Sequence, residues 1–60
     1  MEAFETLKKL VAQAEEDLAK AEGGNKAAGT RVRTTMQDIK NCAQDIRVKI
    51  LELRDAGKPS

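Results

Sequence analysis

The residue types best suited to chemistry stand in one run without acids, "GGNKAAGTRVRTTMQ". The run contains Lys26, Arg31 and Arg33, and it is bounded by Glu22 and Asp38. Cations beside two glycines favour anion binding, because the cations supply charge and the glycines allow close approach to a phosphate. The run is not a Walker loop, since the required spacing between its glycines and a Gly-Lys-Ser/Thr sequence is absent. We therefore interpret it as a candidate phosphate site.

Catalytic and metal chemistry have little support in the composition. The chain has no histidine and a single cysteine, Cys42. Structural zinc sites need four Cys or a combination of Cys and His, and one chain cannot supply either set. No base is available to activate the Cys42 thiol, so we interpret it as a half-buried packing residue. We expect neither an enzyme, nor a cofactor, nor a metal site.

The charges are unevenly distributed, although the 60 residues carry a net charge of only +1. Residues 1–22 hold three lysines against six acids, a net charge of −3, and residues 23–60 hold eight bases against four acids, a net charge of +4. The basic half predicts a surface that attracts an acidic partner. Phe4 is the only aromatic residue, so a stacking platform for single-stranded nucleic acid is excluded.

The N-terminal sequence "MEAFETLKKL" places charged residues among its apolar ones. It lacks the continuous apolar segment of a signal peptide or a membrane span. A single free thiol is typical of a reducing compartment. We therefore expect a cytoplasmic protein with no membrane partner and no small-molecule substrate.

Two apolar patterns with helical spacing predict an all-α fold. Both step by three and four residues; the first is Phe4, Leu7, Val11, Ala14, Leu18 and Ala21, and the second is Val32, Met36, Ile39, Ala43, Ile46, Ile50 and Leu53. They predict helix 1 at about residues 2–22 and helix 2 at about residues 26–55, with Asn25 as N-cap. Gly29 lowers helix propensity, so helix 2 could instead begin near Thr30. Residues 56–60 are expected to form a frayed tail.

The short break at residues 23–25 predicts an antiparallel, coiled-coil-like two-helix hairpin in one domain spanning residues 1–60. A tight turn pairs Phe4 with Ile46, whereas a longer loop would slip the pairing by one heptad, to Phe4 with Leu53. We favour the tight turn. Helix 2 then extends about two turns beyond helix 1.

A two-helix hairpin has one apolar seam and little else to bury, and the extension of helix 2 adds exposed apolar side chains. Burying a Leu or Ile side chain contributes roughly 1.5–3 kcal/mol to stability. We therefore predict self-association, most simply a dimer in a four-helix arrangement. The residues expected to mediate it are Phe4, Leu7, Val11, Ile46, Ile50, Leu51 and Leu53.

The candidate phosphate site lies at the start of helix 2, where unpaired backbone N–H groups and the helix dipole favour anions. Threonine hydroxyls such as that of Thr30 add donors suited to phosphate oxygens. A basic stripe recurs every seven residues at Arg33, Lys40, Arg47 and Arg54. An alternative interpretation places this stripe on a coiled-coil flank, with Arg33 near Glu15.

Around the turn, the sequence resembles a known family. The stretch "KAEGGNKAAGTRVRT" is similar to the recurrent sequence of small bacterial histone-like nucleoid proteins of the chlamydial linker-histone type. The matching positions are Lys20–Glu22, Gly24–Ala28 and Arg31–Thr34. Chlamydial members carry a long tail rich in Lys and Ala, which has no counterpart up to Ser60, so the chain resembles a tailless short form.

The resemblance implies a nucleoid-associated protein that binds duplex DNA without sequence preference and compacts or bridges it as a dimer. It implies backbone contacts at the candidate phosphate site, and the residues expected to make them are Asn25, Lys26, Thr30, Arg31, Arg33 and Lys40. We expect no base readout, for which a helix face would have to gather Asn, Gln and Arg. Two alternatives stay open: a coiled-coil protein-interaction module with no nucleic-acid role, and a hairpin that grips duplex RNA.

Overall fold

The structure is a computed structural model that describes residues 1–56 as two helices. Helix α1 comprises Glu2–Glu22, and helix α2 comprises Lys26–Ala56. The helices pack against each other in antiparallel directions, which brings Cys42 to Ala3 and Arg31 to Asp17. The described residues contain no strand. The predicted all-α hairpin is confirmed.

The turn between the helices is closed by backbone hydrogen bonds. The N–H groups of residues 23–25 donate to carbonyl groups in the last turn of α1 at 3.0–3.2 Å. Gly24 has a φ of 100°, a left-handed conformation that glycine adopts without a steric penalty. Asn25 then caps α2, because its Oδ1 accepts a hydrogen bond from the Ala28 N–H at 3.0 Å. These local bonds reverse the chain within three residues.

The cap also fixes where the second helix begins. Helix α2 starts at Lys26, ahead of Gly29, so the alternative start near Thr30 is wrong. Ala56 ends α2, and the rest of the expected tail lies outside the described residues. Neither helix within residues 1–56 combines the length and apolarity that crossing a membrane requires.

Small side chains form the contact between the helices. Ala14 and Ala28 are buried, and so is Thr35. The Cys42 Sγ donates a hydrogen bond to the carbonyl oxygen of Ala3 at 3.1 Å, which ties α2 to the start of α1. Small residues let two helix backbones approach closely, and this increases van der Waals contact along the whole seam.

The predicted seam is only partly correct. Six of its large members are 41–64% exposed, namely Phe4, Val11, Leu18, Met36, Ile50 and Leu53. On α1 the predicted members Leu7, Ala14 and Ala21 do face α2, being buried or half-buried. The places of Phe4, Val11 and Leu18 are taken by the residues that precede them, which are Ala3, Leu10 and Asp17. The reason is that close approach through the small residues turns the larger apolar side chains toward one open side of the hairpin.

The helix pairing agrees with a tight turn. The contact between Cys42 and Ala3 excludes the one-heptad slip, which would bring Leu53 to Phe4. Helix α2 has 31 residues against 21 in α1, so its C-terminal turns extend beyond α1. In that extension Leu51 and Leu53 are 54% and 64% exposed.

Candidate nucleic-acid interface

The first cation of α2 is placed by the Asn25 cap. Asn25 Oδ1 is occupied by the Ala28 N–H, which leaves the Asn25 amide Nδ2 free to donate to another group. Lys26 follows as the first residue of α2 and is exposed. The cap therefore holds one amide donor and one cation side by side at the turn.

Arg31 lies on the side of α2 that meets α1. Its Nε donates a hydrogen bond to Asp17 Oδ1 at 3.1 Å. The Asp17 side chain is only 8% exposed, whereas that of Arg31 is 48% exposed. A charge-assisted hydrogen bond satisfies the buried carboxylate, and the other guanidinium nitrogens stay available as donors. Arg31 therefore braces the hairpin and presents only its outer edge to solvent.

Lys26, Arg33 and Lys40 lie on the opposite side of α2, which we call the outer face. The α1-facing side is marked by Ala28 and Thr35, which are 0% and 4% exposed. Because Lys26, Arg33 and Lys40 recur every seven residues, they share one face of the helix. All three are exposed, and none forms an ion pair within the described residues.

Two further cations outside the outer face form ion pairs in the described residues. Lys8 lies 3.6 Å from Glu5, and Lys49 lies 3.3 Å from Asp45. Arg33 makes no such pair with Glu15, so the coiled-coil flank pairing does not form within this part of the chain. The outer-face cations are thus available for an external anion.

The predicted phosphate cluster is divided between two faces. Arg31 and Arg33 are two residues apart in one helix, so their side chains project about 160° apart around its axis. Lys26, Thr30, Arg33 and Lys40 are together on the outer face, whereas Arg31 is held by Asp17. The division is not visible in the sequence, because the side chains of consecutive residues in a helix project in all directions around the helix axis.

The threonines of the candidate site line a shallow depression. Thr30, Arg33, Thr34 and Gln37 form its walls. The hydroxyl groups of Thr30 and Thr34 donate to carbonyl groups one turn earlier, at 3.4 and 3.3 Å. The longer of these bonds, at Thr30, is weak, so its hydroxyl can be redirected to a phosphate oxygen at low cost.

Sequence reasoning missed two features of this surface. Gln37 and Gln44 are exposed on the outer face, between the cations, so a helix face does gather Gln and Arg. The expected lack of base readout therefore rests on the family resemblance and not on the composition of this face. The spacing of Gln37 and Gln44 from Arg33 and Lys40 is the signal that identifies them. The second feature is the buried position of Asp17, which only the packing of the two helices shows.

A second surface is the apolar groove on the open side of the hairpin. Its walls are Val11, Ala14, Glu15, Leu18, Val32, Met36 and Ile39. Leu18 and Met36 are 48% and 46% exposed there. Of the residues predicted to mediate self-association, Phe4, Val11, Ile50, Leu51 and Leu53 are exposed, whereas Leu7 and Ile46 are half-buried. Among the predicted residues, Val11 alone lines the groove.

Metal binding has no structural support in the part of the chain that is described. No group of three or more His, Cys, Asp or Glu side chains there is arranged to hold an ion. The Cys42 thiol is half-buried and bonded to a carbonyl group.

Comparison with family models identifies the chain. Residues 1–56 match the model described as "Histone H1-like protein Hc1". Comparisons with curated proteins and with solved structures found no significant match. The match covers both helices and the turn that carries the resemblance in sequence. The chain therefore belongs to the histone H1-like protein Hc1 family.

Proposed function

We propose that the protein binds the backbone of duplex DNA without sequence preference and, as a dimer, compacts or bridges it. The observation that carries the proposal is the outer face of α2, where Lys26, Arg33 and Lys40 are exposed and have no acidic partner in the described residues. Membership of a histone H1-like family supports the same function. The protein would then act in the cytoplasm, on the nucleoid.

The side chains of the candidate site suit phosphate groups. Lysine and arginine neutralise phosphates and release counterions, which gives affinity without base recognition. The Thr30 hydroxyl and the Asn25 Nδ2 can add neutral hydrogen bonds to phosphate oxygens. Arg31 contributes through the guanidinium edge that Asp17 leaves free. We therefore assign the backbone contacts to Lys26, Arg33 and Lys40, aided by Asn25, Thr30 and Arg31.

Self-association is supported by the apolar groove. Large side chains on the open side, including Phe4, Val11 and Leu18, are 41–50% exposed. Two copies that meet through their grooves would bury these side chains at the centre of four helices, where the predicted seam would be complete. One chain offers few cations, whereas a dimer offers two sets that can engage two duplex segments.

A titration of the protein into fluorescently labelled duplexes tests the function. We expect binding that is the same for two unrelated sequences and that weakens steeply between about 50 mM and about 200 mM salt, as counterion release requires. A strong preference for one sequence would contradict the proposal. If unlabelled duplex RNA displaced the labelled duplex more effectively than unlabelled duplex DNA, the protein would be assigned to RNA binding instead.

The second candidate function is a protein-interaction module with no nucleic-acid role. The groove favours it, because a helix of another protein could also cover Val11, Leu18 and Met36. Affinity capture from cells, with and without nuclease, separates the two functions. DNA that is captured with the protein and is lost after nuclease treatment supports DNA binding. A stoichiometric protein partner that is captured without DNA supports the protein-interaction module.

A further inference from the structure

The outer face of α2 carries a regular pattern that continues past the candidate phosphate site. Four exposed cations follow one another every seven residues: Lys26, Arg33, Lys40 and Arg47. Three exposed, uncharged hydrogen-bonding side chains lie between them: Thr30, Gln37 and Gln44. Successive members are separated by four and three residues in turn, which keeps all seven on one face of a helix. We call this set the outer stripe.

Acids of α2 are kept away from the outer stripe. Asp38, Asp45 and Glu52 also recur every seven residues, but Asp38 lies about 160° around the helix axis from Lys40. Asp45 is engaged by Lys49 at 3.3 Å. Within the described residues, no carboxylate lies within ion-pair distance of a cation of the outer stripe. Its positive charge is therefore not neutralised inside the hairpin.

We infer that the whole outer stripe, as far as Arg47, is the surface that contacts duplex DNA, so that the duplex lies along α2 instead of at the tip of the turn. This inference rests on the proposed function and extends its site. The stripe is about 31 Å long from Lys26 to Arg47, and its cations are about 10 Å apart. Each strand of a duplex carries one phosphate per about 3.4 Å of its helix axis, so phosphates follow one another more closely than the cations of the outer stripe do.

The residues between the cations fit the same contact. Gln37 and Gln44 each carry an amide N–H₂ group that can donate to phosphate oxygens, as amides commonly do in protein–DNA interfaces. A contact at the turn alone would use Lys26 and Arg33 and leave these amides unused. A contact along α2 uses every member of the outer stripe.

Arg47 decides between the two placements, because it lies about six helical turns from the start of α2. We expect Arg47→Gln to weaken duplex binding several-fold and to lower the slope of log affinity against log salt by about 0.9, and we expect the same of Arg33→Gln. The matched control is Lys9→Gln, which removes one exposed cation from α1. The inference would be overturned if Arg47→Gln bound the duplex as tightly as Lys9→Gln while Arg33→Gln bound it more weakly. That result would leave the proposed function intact.

A second pair of variants adds an acid without removing a cation. Gln44 lies in the outer stripe, so Gln44→Glu should weaken duplex binding. Gln13 is exposed on α1, and Gln13→Glu should weaken duplex binding less. Equal effects of the two would overturn the inference. Failure of the unchanged protein to bind any duplex would instead overturn the proposed function itself.

Arg47 also borders an apolar depression with Ile46, Ile50 and Leu51, so its effect on self-association must be measured separately. Sedimentation equilibrium of Arg47→Gln and of the unchanged protein gives the oligomeric state of each. Weaker DNA binding at an unchanged oligomeric state supports the inference. Weaker binding that is fully explained by loss of self-association would assign Arg47 to the contact between copies and overturn it.

Discussion

Arg31 donates its Nε hydrogen to Asp17 Oδ1 at 3.1 Å and thereby joins the two helices near the turn. The bond links a nearly buried carboxylate to a half-exposed guanidinium group. It separates Arg31 from the other cations of its sequence neighbourhood, since Lys26 and Arg33 lie on the outer face of α2. One arginine of the basic run thus stabilises the hairpin, and the others are free to bind an external anion.

Arg31→Ala is expected to destabilise the hairpin. Removal of the guanidinium group leaves the buried Asp17 carboxylate without its partner, which should lower the free energy of unfolding by about 1–3 kcal/mol. Arg33→Ala is the matched control, because it removes a solvent-exposed arginine two residues away and should cost about 0.5 kcal/mol or less. Urea unfolding at one protein concentration compares the two variants.

The double variant Asp17→Asn with Arg31→Ala tests whether the unpaired Asp17 carboxylate causes the loss of stability in Arg31→Ala. A neutral amide costs less to bury than an unpaired carboxylate, so the double variant should recover part of the stability that Arg31→Ala loses. No recovery, or equal losses in Arg31→Ala and Arg33→Ala, would show that the buried pair does not brace the helices.

Leu18→Glu is expected to prevent self-association. Leu18 lines the apolar groove and is 48% exposed, so a carboxylate there leaves one chain folded but is costly to bury between two copies. Ala12→Glu, on an exposed position of α1 away from the groove, is the matched control. Sedimentation equilibrium should show at least about tenfold weaker association for Leu18→Glu alone, equivalent to about 1.4 kcal/mol. Equal association of both variants would place the contact between copies elsewhere.

Gly24→Ala is expected to destabilise the turn. Gly24 has a φ of 100°, and a side chain in the left-handed region costs about 1–2 kcal/mol. Gly23→Ala tests the same chemical change at an adjacent position with a φ of −80°, where an added Cβ would be 3.4 Å from the Lys20 carbonyl oxygen, an ordinary contact. Thermal unfolding should therefore show a clear decrease in melting temperature for Gly24→Ala and little change for Gly23→Ala. A reversed order would contradict the role assigned to Gly24.

The hairpin was predictable from the sequence because its determinants are local. Gly24 and Asn25 end one helix and begin the next through bonds within a few residues, and the alternating steps of three and four residues specify two helices. Which residues of α1 face α2 was not predictable in the same way. The set Phe4, Val11 and Leu18 and the set Ala3, Leu10 and Asp17 have the same spacing, so periodicity cannot choose between them.

The candidate site was partly predictable for a related reason. The lack of acids between residues 22 and 38 marked the cations, but charge counted along the chain does not tell which face of a helix each one occupies. The buried position of Asp17 draws Arg31 away from Arg33. Gln37 and Gln44 went unnoticed because uncharged residues stand out only when the outer face of α2 is identified.

Two triple variants of equal net charge test the central claim most directly. One replaces Lys26, Arg33 and Lys40 by glutamine on the outer face of α2, and the other replaces Lys8, Lys9 and Lys20 by glutamine on exposed positions of α1. Fluorescence anisotropy at about 50 mM salt should show at least about tenfold weaker duplex binding for the α2 variant and a much smaller loss for the α1 variant. Equal losses would mean that total charge alone governs binding, and they would contradict a DNA contact at the outer face of α2.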